Sequence, residues 1–123
     1  MTNRTKQRLK KHNIDILIEL ENDTPDQTKE KLTNTALHIA DSLKQTNLKQ
    51  LNITPFSGSI LIRASHKKVP HYYYGPYINI DPNLEGLDEA VSQFIESWIK
   101  DDNETSVNSF LRFIADGEKY GWD

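Results

Sequence analysis

The fold is decided by residues 24–43, which read TPDQTKEKLTNTALHIADSL. Thr24 is a favoured N-cap residue, Pro25 suits the first helical position, and Gln27 occupies the capping-box position three residues after the cap. The apolar residues that follow recur on one helical face, at Leu32, Ala36, Ile39, Ala40 and Leu43. This spacing predicts an amphipathic helix over about residues 25–45.

One strand is predicted before this helix and two are predicted after it. Isoleucine or leucine stands at every even position of residues 14–20, which favours a strand, although the same segment also fits helical spacing. Residues 54–58, TPFSG, are typical of a turn. A strand that begins at Ile60 and a second strand over about residues 71–80 are then expected to pair antiparallel. Gly75-Pro76 interrupts the second strand and predicts a bulge or a sheet edge.

Two amphipathic helices are predicted in the last third of the chain. The first spans about residues 87–100, and the second follows Asp101-Asp102-Asn103 and ends at Gly117. Their short link predicts an αα-hairpin. The chain is therefore expected to be one α+β domain, residues 1–123, in which helices cover a small antiparallel sheet in the order β-α-β-β-α-α. The predicted core consists of Leu32, Ala36, Ile39, Ala40, Leu43, Ile60, Ile62, Val91, Phe94, Ile95, Trp98, Phe110, Leu111 and Ile114.

Composition limits the chemistry that the chain can perform. The chain has 123 residues and no cysteine, which excludes disulfides, thiolate metal sites and cysteine nucleophiles. Its five glycines are too dispersed for a nucleotide-binding fingerprint, and no G-x-S-x-G elbow is present. His66 and His71 have no evident third ligand. We therefore expect no metal, no cofactor and no catalytic residue, and we predict that the protein is not an enzyme.

Charge is distributed unevenly along the chain, although the net charge is only −3. Residues 1–11 carry five basic side chains and no acid, and we interpret them as a basic arm or a short helix. Residues 81–123 carry eleven acids against three bases. No stretch is long and apolar enough to span a membrane, and with the lack of cysteine this predicts a cytoplasmic protein. No feature of the sequence indicates an oligomeric state.

Residues 63–77 form the segment that folding explains least. They hold three fixed positive charges, two histidines and four of the five tyrosines. Tyrosine offers a large apolar area with a polar tip, which suits recognition, but cross-strand tyrosines also stabilise sheets without any ligand. The predicted partner-binding residues are Arg63, His66, Lys67, Lys68, His71, Tyr72, Tyr73, Tyr74 and Tyr77. A secondary acidic surface is predicted at Asp88, Glu89, Glu96, Asp101 and Asp102.

Three classes of function are compatible with these patterns. The first is a non-catalytic protein-binding module, such as an inhibitor, immunity or anti-defence protein of a phage or mobile element. Its partner would be another protein, for example a nucleic-acid-handling enzyme. The alternative is a nucleic-acid-binding protein that uses the basic N-terminal arm and the Lys/Tyr hairpin. An enzyme with an unfamiliar site has the least support, because nothing in the sequence selects a reaction.

Overall fold

The computed structural model describes residues 4–73 and 76–102, with residues 69–72 and 101 described at the level of the backbone. Within these residues, six strands and two helices follow one another in the order β-β-α-β-β-β-β-α. Their bounds are β1 (Arg4–Lys11), β2 (Ile14–Glu21), α1 (Asp26–Ser42), β3 (Leu48–Phe56), β4 (Ser59–His66), β5 (Val69–Tyr73), β6 (Ile78–Ile80) and α2 (Leu87–Asp101).

The six strands form one sheet, in which β1, β2, β3, β4 and β5 lie side by side in chain order. β6 also pairs with β4, and because β3 occupies one edge of β4, β5 and β6 share the other edge. Both pair antiparallel with β4, so the predicted antiparallel pair is confirmed. The predicted interruption at Gly75-Pro76 falls between β5 and β6, although Gly75 itself lies outside the described residues.

The α+β class is confirmed, but the sheet is mixed rather than purely antiparallel. β2 and β3 run parallel, because α1 returns the chain across the sheet before β3 begins. The other neighbouring pairs are antiparallel. The expectation of an antiparallel sheet is wrong for this one pair, since hydrophobic periodicity does not report the direction of a strand.

β3 was not predicted, and it includes part of the predicted turn. Residues 54–56 continue the strand, and the turn is confined to Ser57 and Gly58, whose φ angles are 49° and 80°. Positive φ at both positions is typical of the two-residue turns that join antiparallel strands. A turn-like composition therefore marked the right place but overestimated the length of the loop.

Residues 4–11 form an edge strand instead of the predicted basic arm or short helix. His12 and Asn13 join β1 to β2 with φ angles of 54° and 64°, again typical of a two-residue hairpin turn. Among the described strands, β1 pairs only with β2. Because most of its side chains are exposed, β1 shows no apolar alternation that could have identified it as a strand.

The core lies between the helices and one face of the sheet. The even-numbered residues of β2 are buried and confirm the strand interpretation of residues 14–20. They join the buried residues of α1, α2, β3, β4 and β6 in one cluster. We call the opposite face of the sheet the outer face. It carries the intervening strand residues, including Arg63 and Ser65 of β4.

The predicted core is confirmed wherever the structure describes it. Every described member is buried except Ile95, which is partly buried against the cluster. Phe110, Leu111 and Ile114 lie outside the described residues, as do the predicted final helix and the αα-hairpin. No helix among residues 4–73 and 76–102 is long and apolar enough to cross a membrane.

Helices α1 and α2 confirm the predictions for residues 25–45 and 87–100. The start of α1 differs by one residue, because Pro25 rather than Thr24 takes the N-cap position and no side chain caps the helix. The carbonyl of Pro25 accepts the first helical hydrogen bond, from the N–H of Lys29 at 3.0 Å. The backbone N–H of Thr24 instead donates to the carbonyl of Glu21, in the turn that leads into α1.

Candidate partner-binding surface

The predicted partner-binding residues belong to β4, to β5 and to the turn between them. Lys67 and Lys68 form this turn, and their side chains are exposed. The turn is held at the backbone, since the N–H of Lys67 donates to the carbonyl of Asn47 at 2.8 Å. The N–H of Lys68 donates to Nδ1 of His66 at 3.0 Å. The two lysines are therefore displayed from an anchored backbone.

Arg63 and Tyr73 contact each other across the same two strands. Tyr73 pairs with Ser65, two residues after Arg63, so all three lie on the outer face. The guanidinium carbon of Arg63 lies 3.9 Å from the centroid of the Tyr73 ring, a cation–π contact that holds both side chains. Tyr73 remains 43% exposed, and Tyr77, between β5 and β6, is 66% exposed.

The side chains of three predicted residues lie outside the described structure. His71 and Tyr72 belong to β5 by their backbone, but their side chains are not described. Tyr74 lies outside the described residues altogether. Their proposed role in binding stays a prediction.

His66 lies in the interior, so the prediction that it contacts a partner is corrected. Its side chain is fully buried, and its Nε2 lies 2.8 Å from Oδ1 of Asp102. Because Nδ1 accepts the N–H of Lys68, the ring proton belongs on Nε2, which donates to the carboxylate. The imidazole joins the end of β4 to the end of α2, and both of its nitrogens are occupied.

Asp102 also faces inward and is removed from the predicted acidic surface. Its side chain is 10% exposed, and its two oxygens accept hydrogen bonds from the backbone and side-chain nitrogens of Asn47, at 3.2 and 3.3 Å. A carboxylate engaged in this way is not available to a partner. Asp88, Glu89 and Glu96 are exposed on α2, whereas the side chain of Asp101 is not described.

A polar groove of about 510 Å³ lies between the two helices and is lined by Glu30, His38 and Asp88 among other residues.

Within the part of the chain that the structure describes, no group of three His, Cys, Asp or Glu side chains could hold a metal ion. The expectation of a metal-free protein stays a prediction, because the side chain of His71 is not described.

Two features of the outer face were missed by sequence reasoning. The first is a row of basic side chains on β1, which face the outer side because they pair with the odd-numbered residues of β2. This basic row consists of Arg4, Lys6, Arg8 and Lys10. Its period of two was visible in the sequence. The second feature is the burial of Asn52 and Ser65 beside Arg63, which no local pattern indicates.

The basic row is partly neutralised by acids on β2. Arg4 lies 3.5 Å from a carboxylate oxygen of Glu19 and 3.7 Å from one of Glu21. Lys10 lies 3.8 Å from Asp15. Such exposed pairs contribute little to stability and leave the cations accessible.

Comparison with protein-family models, with curated proteins and with solved structures finds no match for this chain. Its function is therefore inferred from the fold and from the surfaces described above.

Proposed function

We propose that this protein is a non-catalytic protein-binding module whose partner surface is the β4–β5 hairpin, residues 63–73, together with Tyr77. The observation that supports the proposal is the exposure of Tyr73, on the strand that follows the Lys67-Lys68 turn, and of Tyr77, between β5 and β6. Aromatic rings are enriched at the centres of interfaces, because they bury a large area while losing little rotamer freedom. Folding requires neither this exposed aromatic area nor the adjacent lysine pair.

The contact with Arg63 prepares Tyr73 for binding. The guanidinium restricts the ring in the free protein, so less conformational freedom is lost when a partner covers it. Among the described strands, β5 has no neighbour beyond β4. A partner segment can therefore add to this sheet edge while its side chains contact the tyrosines.

Within this class we favour an inhibitor, immunity or anti-defence protein of a phage or mobile element, with a nucleic-acid-handling enzyme as its partner. Such enzymes carry basic grooves that bind phosphates. The exposed acids of α2, Asp88, Glu89 and Glu96, suit a groove of that kind. They form a second surface, which a test must separate from the hairpin.

Alanine variants of the hairpin tyrosines test the proposal. A pull-down from the native host first supplies the partner, and its affinity for each variant is then measured by calorimetry. We expect Tyr73→Ala or Tyr77→Ala to weaken binding by about 2 kcal/mol, roughly thirtyfold, as for an anchor residue. Tyr72→Ala and Tyr74→Ala complete the series. The double variant Lys67→Glu/Lys68→Glu should mainly slow association and change its salt dependence.

Matched controls come from exposed residues away from the hairpin. Phe56 is 55% exposed at the β3–β4 turn, so Phe56→Ala removes a comparable ring without touching the proposed surface. The variant Lys31→Glu/Lys44→Glu makes the same change in net charge. If every folded hairpin variant binds like the parent, the hairpin is only structural, and the acidic face of α2 becomes the surface to test.

A nucleic-acid-binding function is the second candidate, and the basic row on β1 favours it. Its four cations stand at every second residue, so neighbouring cations are about 6.8 Å apart along the strand. The row is therefore comparable to a charged track along a phosphate backbone. Reversing Lys6 and Arg8 to Glu should then weaken binding of a single-stranded oligonucleotide and reduce the salt dependence of the binding that remains. A parent protein that binds no oligonucleotide at low salt would eliminate this candidate.

A further inference from the structure

β1 is a long edge strand with one unpaired side. Its eight residues pair with β2, and no other described strand lies beside it. In an antiparallel pair, every second residue directs its backbone N–H and C=O away from the neighbouring strand. Half of the residues of β1 therefore present hydrogen-bond donors and acceptors at the edge of the sheet. Such an edge can accept a further strand.

The charges along this edge all have the same sign. Residues 4–11 carry five cations and no acid, and four of these cations form the basic row on the outer face. Arg4 and Lys10 lie near acids of β2, whereas Lys6 and Arg8, in the middle of the row, make no ion pair with any described residue. A strand added beside β1 would place its Cβ atoms roughly 5 Å from those of the residues opposite. Acidic side chains are therefore favoured in such a strand.

A groove lies on the other face of β1, where the strand faces α1. It has a volume of about 210 Å³ and is lined by Thr5, Gln7, Ile18 and Leu20, together with residues of α1. Thr5 pairs with Leu20 and Gln7 pairs with Ile18, so these side chains share the inner face of the sheet. Thr5 and Gln7 are exposed, so the groove is accessible from outside. Because the side chains of a strand alternate between its two faces, every second side chain of an added strand can reach this groove.

We propose that the edge of β1 binds an acidic strand of a partner protein, in which Asp or Glu alternates with small aliphatic residues. The added strand pairs with the backbone of β1. Its acids lie opposite Lys6 and Arg8 on the outer face, and its aliphatic side chains enter the groove beside α1. This site is separate from the β4–β5 hairpin of the proposed function, because β1 and β5 lie at opposite edges of the sheet.

A second copy of this chain is a less suitable occupant of the edge. If two β1 strands paired antiparallel around a twofold axis, both basic rows would lie on the same side and cations would stand opposite cations. Lysine on an edge strand is a common protection against such pairing. The same charges attract an acidic strand, so they disfavour the copy and favour the proposed partner.

A nucleic acid would match only one of the three features. Its phosphates can follow the basic row on the outer face. The groove, however, lies on the inner face, and the edge of β1 presents N–H and C=O groups in the alternating pattern of a β-ladder. An extended acidic peptide matches the row, the edge and the groove at once.

The test is a titration of the ¹⁵N-labelled full chain, followed by NMR, with an acetylated and amidated heptapeptide in which Glu alternates with Val. We expect saturable shifts centred on β1, and slower hydrogen exchange at every second backbone amide of β1, because these N–H groups become hydrogen-bonded. The same peptide with Gln in place of Glu should bind at least about tenfold more weakly, because it lacks the charge that complements Lys6 and Arg8.

Two N-methylated peptides separate strand addition from simple charge attraction. One carries N-methyl groups on its Glu residues and the other on its Val residues, so both keep every side chain and every charge. In an added strand only one of these two sets of N–H groups faces β1. One peptide should therefore lose saturable binding while the other retains it. Because the protein is unaltered in this comparison, the result does not depend on whether a variant folds.

A charge variant of β1 tests the role of the basic row. Lys6→Gln/Arg8→Gln should weaken binding of the Glu peptide at least about tenfold, since the acids lose the cations opposite them. The control Lys31→Gln/Lys44→Gln removes two exposed cations away from the edge and should bind like the parent. An oligothymidylate with the same net charge as the peptide represents a nucleic acid and should leave the hydrogen exchange of β1 unchanged.

Several outcomes would overturn the inference. They are equal binding of the Glu and Gln peptides, equal effects of the two N-methyl patterns, no saturable shift with the Glu peptide, tighter binding of the oligothymidylate than of that peptide, or a dimer of the free chain that forms through β1. None of these results involves the hairpin. The proposed protein-binding function therefore survives or fails separately, on the affinity of Tyr73→Ala and Tyr77→Ala for the isolated partner.

Discussion

At the scale of single residues, a buried hydrogen-bond network joins three parts of the fold. The carboxylate of Asp102 accepts hydrogen bonds from His66 and Asn47, and so connects the end of α2 to β4 and to the α1–β3 loop. The indole N–H of Trp98, on α2, donates to the hydroxyl of Thr46 in the same loop at 3.1 Å. Each of these hydrogen bonds would be lost if its acceptor were removed.

Removal of the Asp102 carboxylate should therefore destabilise the protein. In Asp102→Ala the imidazole N–H of His66 and two nitrogens of Asn47 lose their acceptor, and we expect a loss of roughly 1–3 kcal/mol in the free energy of unfolding. Glu96→Ala, an exposed acid on the same helix, should change it by less than about 0.5 kcal/mol. Urea denaturation of both variants measures the difference, and equal stabilities would show that the network contributes nothing.

The stability of the fold depends on pH through Asp41, an exposed residue of α1. Its carboxylate accepts a hydrogen bond from Nζ of Lys11 at 3.0 Å, which is the main cause that holds the pKa of Asp41 below its usual 3.8. A hydrogen bond with Nε2 of His12, at 2.6 Å, lowers this pKa further. Because the pKa is lower in the folded state, the resulting stability is present above pH 3.8 and is lost as the pH falls through the lowered value.

We expect Asp41→Asn to unfold at a lower temperature than the parent at pH 6. The gap between the two midpoints should close as the pH is lowered below 3.8, and it should narrow with added salt because the group is exposed. Thermal melts of parent and variant across this pH range provide the measurement. A gap that is independent of pH would exclude the ion pair as its origin.

At the scale of elements, α2 is held by two aromatic rings on its buried face. Phe94 and Trp98 are 2% and 0% exposed and lie with ring centroids 6.3 Å apart. Trp98 also lies 6.2 Å from the ring of His66. The helix is therefore attached to the sheet through apolar packing and through the network of Asp102.

Truncation of either ring should cost about 3–5 kcal/mol, as is typical when a large buried aromatic side chain is removed. The control is Ile99→Ala, because Ile99 follows Trp98 directly and is 54% exposed. We expect that control to change stability by no more than about 0.5 kcal/mol. A loss under half a kilocalorie for Phe94→Ala would mean that this face of α2 is not buried in solution.

At the scale of the whole molecule, the two layers differ in charge. The basic row of β1 lies on the outer face, whereas the exposed acids Asp88, Glu89 and Glu96 lie on α2 in the helical layer. Such a separation orients a charged partner during its approach, and its effect falls with ionic strength. The hairpin with Lys67 and Lys68 lies at the sheet edge opposite to β1.

The whole fold should be independent of metal ions. The described core consists of aliphatic and aromatic residues of both helices and four strands, and the chain has no cysteine. Thermal melts with and without a chelator are therefore expected to coincide. A lower midpoint in the presence of the chelator would reveal a structural metal and would contradict the expectation from the sequence.

The sequence by itself determined the elements that are half buried. α1, α2, β2 and β4 each place apolar residues at a period that matches their geometry, so the order of residues within one segment indicates which face is buried. The same reasoning identified the hairpin that carries Lys67, Lys68 and Tyr73. These properties are local, because they depend on which side of one element is turned away from water.

Only the tertiary structure decided how the elements are arranged and which polar groups are buried. β1 is an exposed edge strand without apolar alternation, and the parallel pairing of β2 with β3 depends on the crossover through α1. The burial of His66 depends on Asp102, 36 residues further along the chain. Neighbours that distant leave no periodicity in the segment itself, so strand order, strand direction and the partner of a buried polar side chain arise only when the chain has folded.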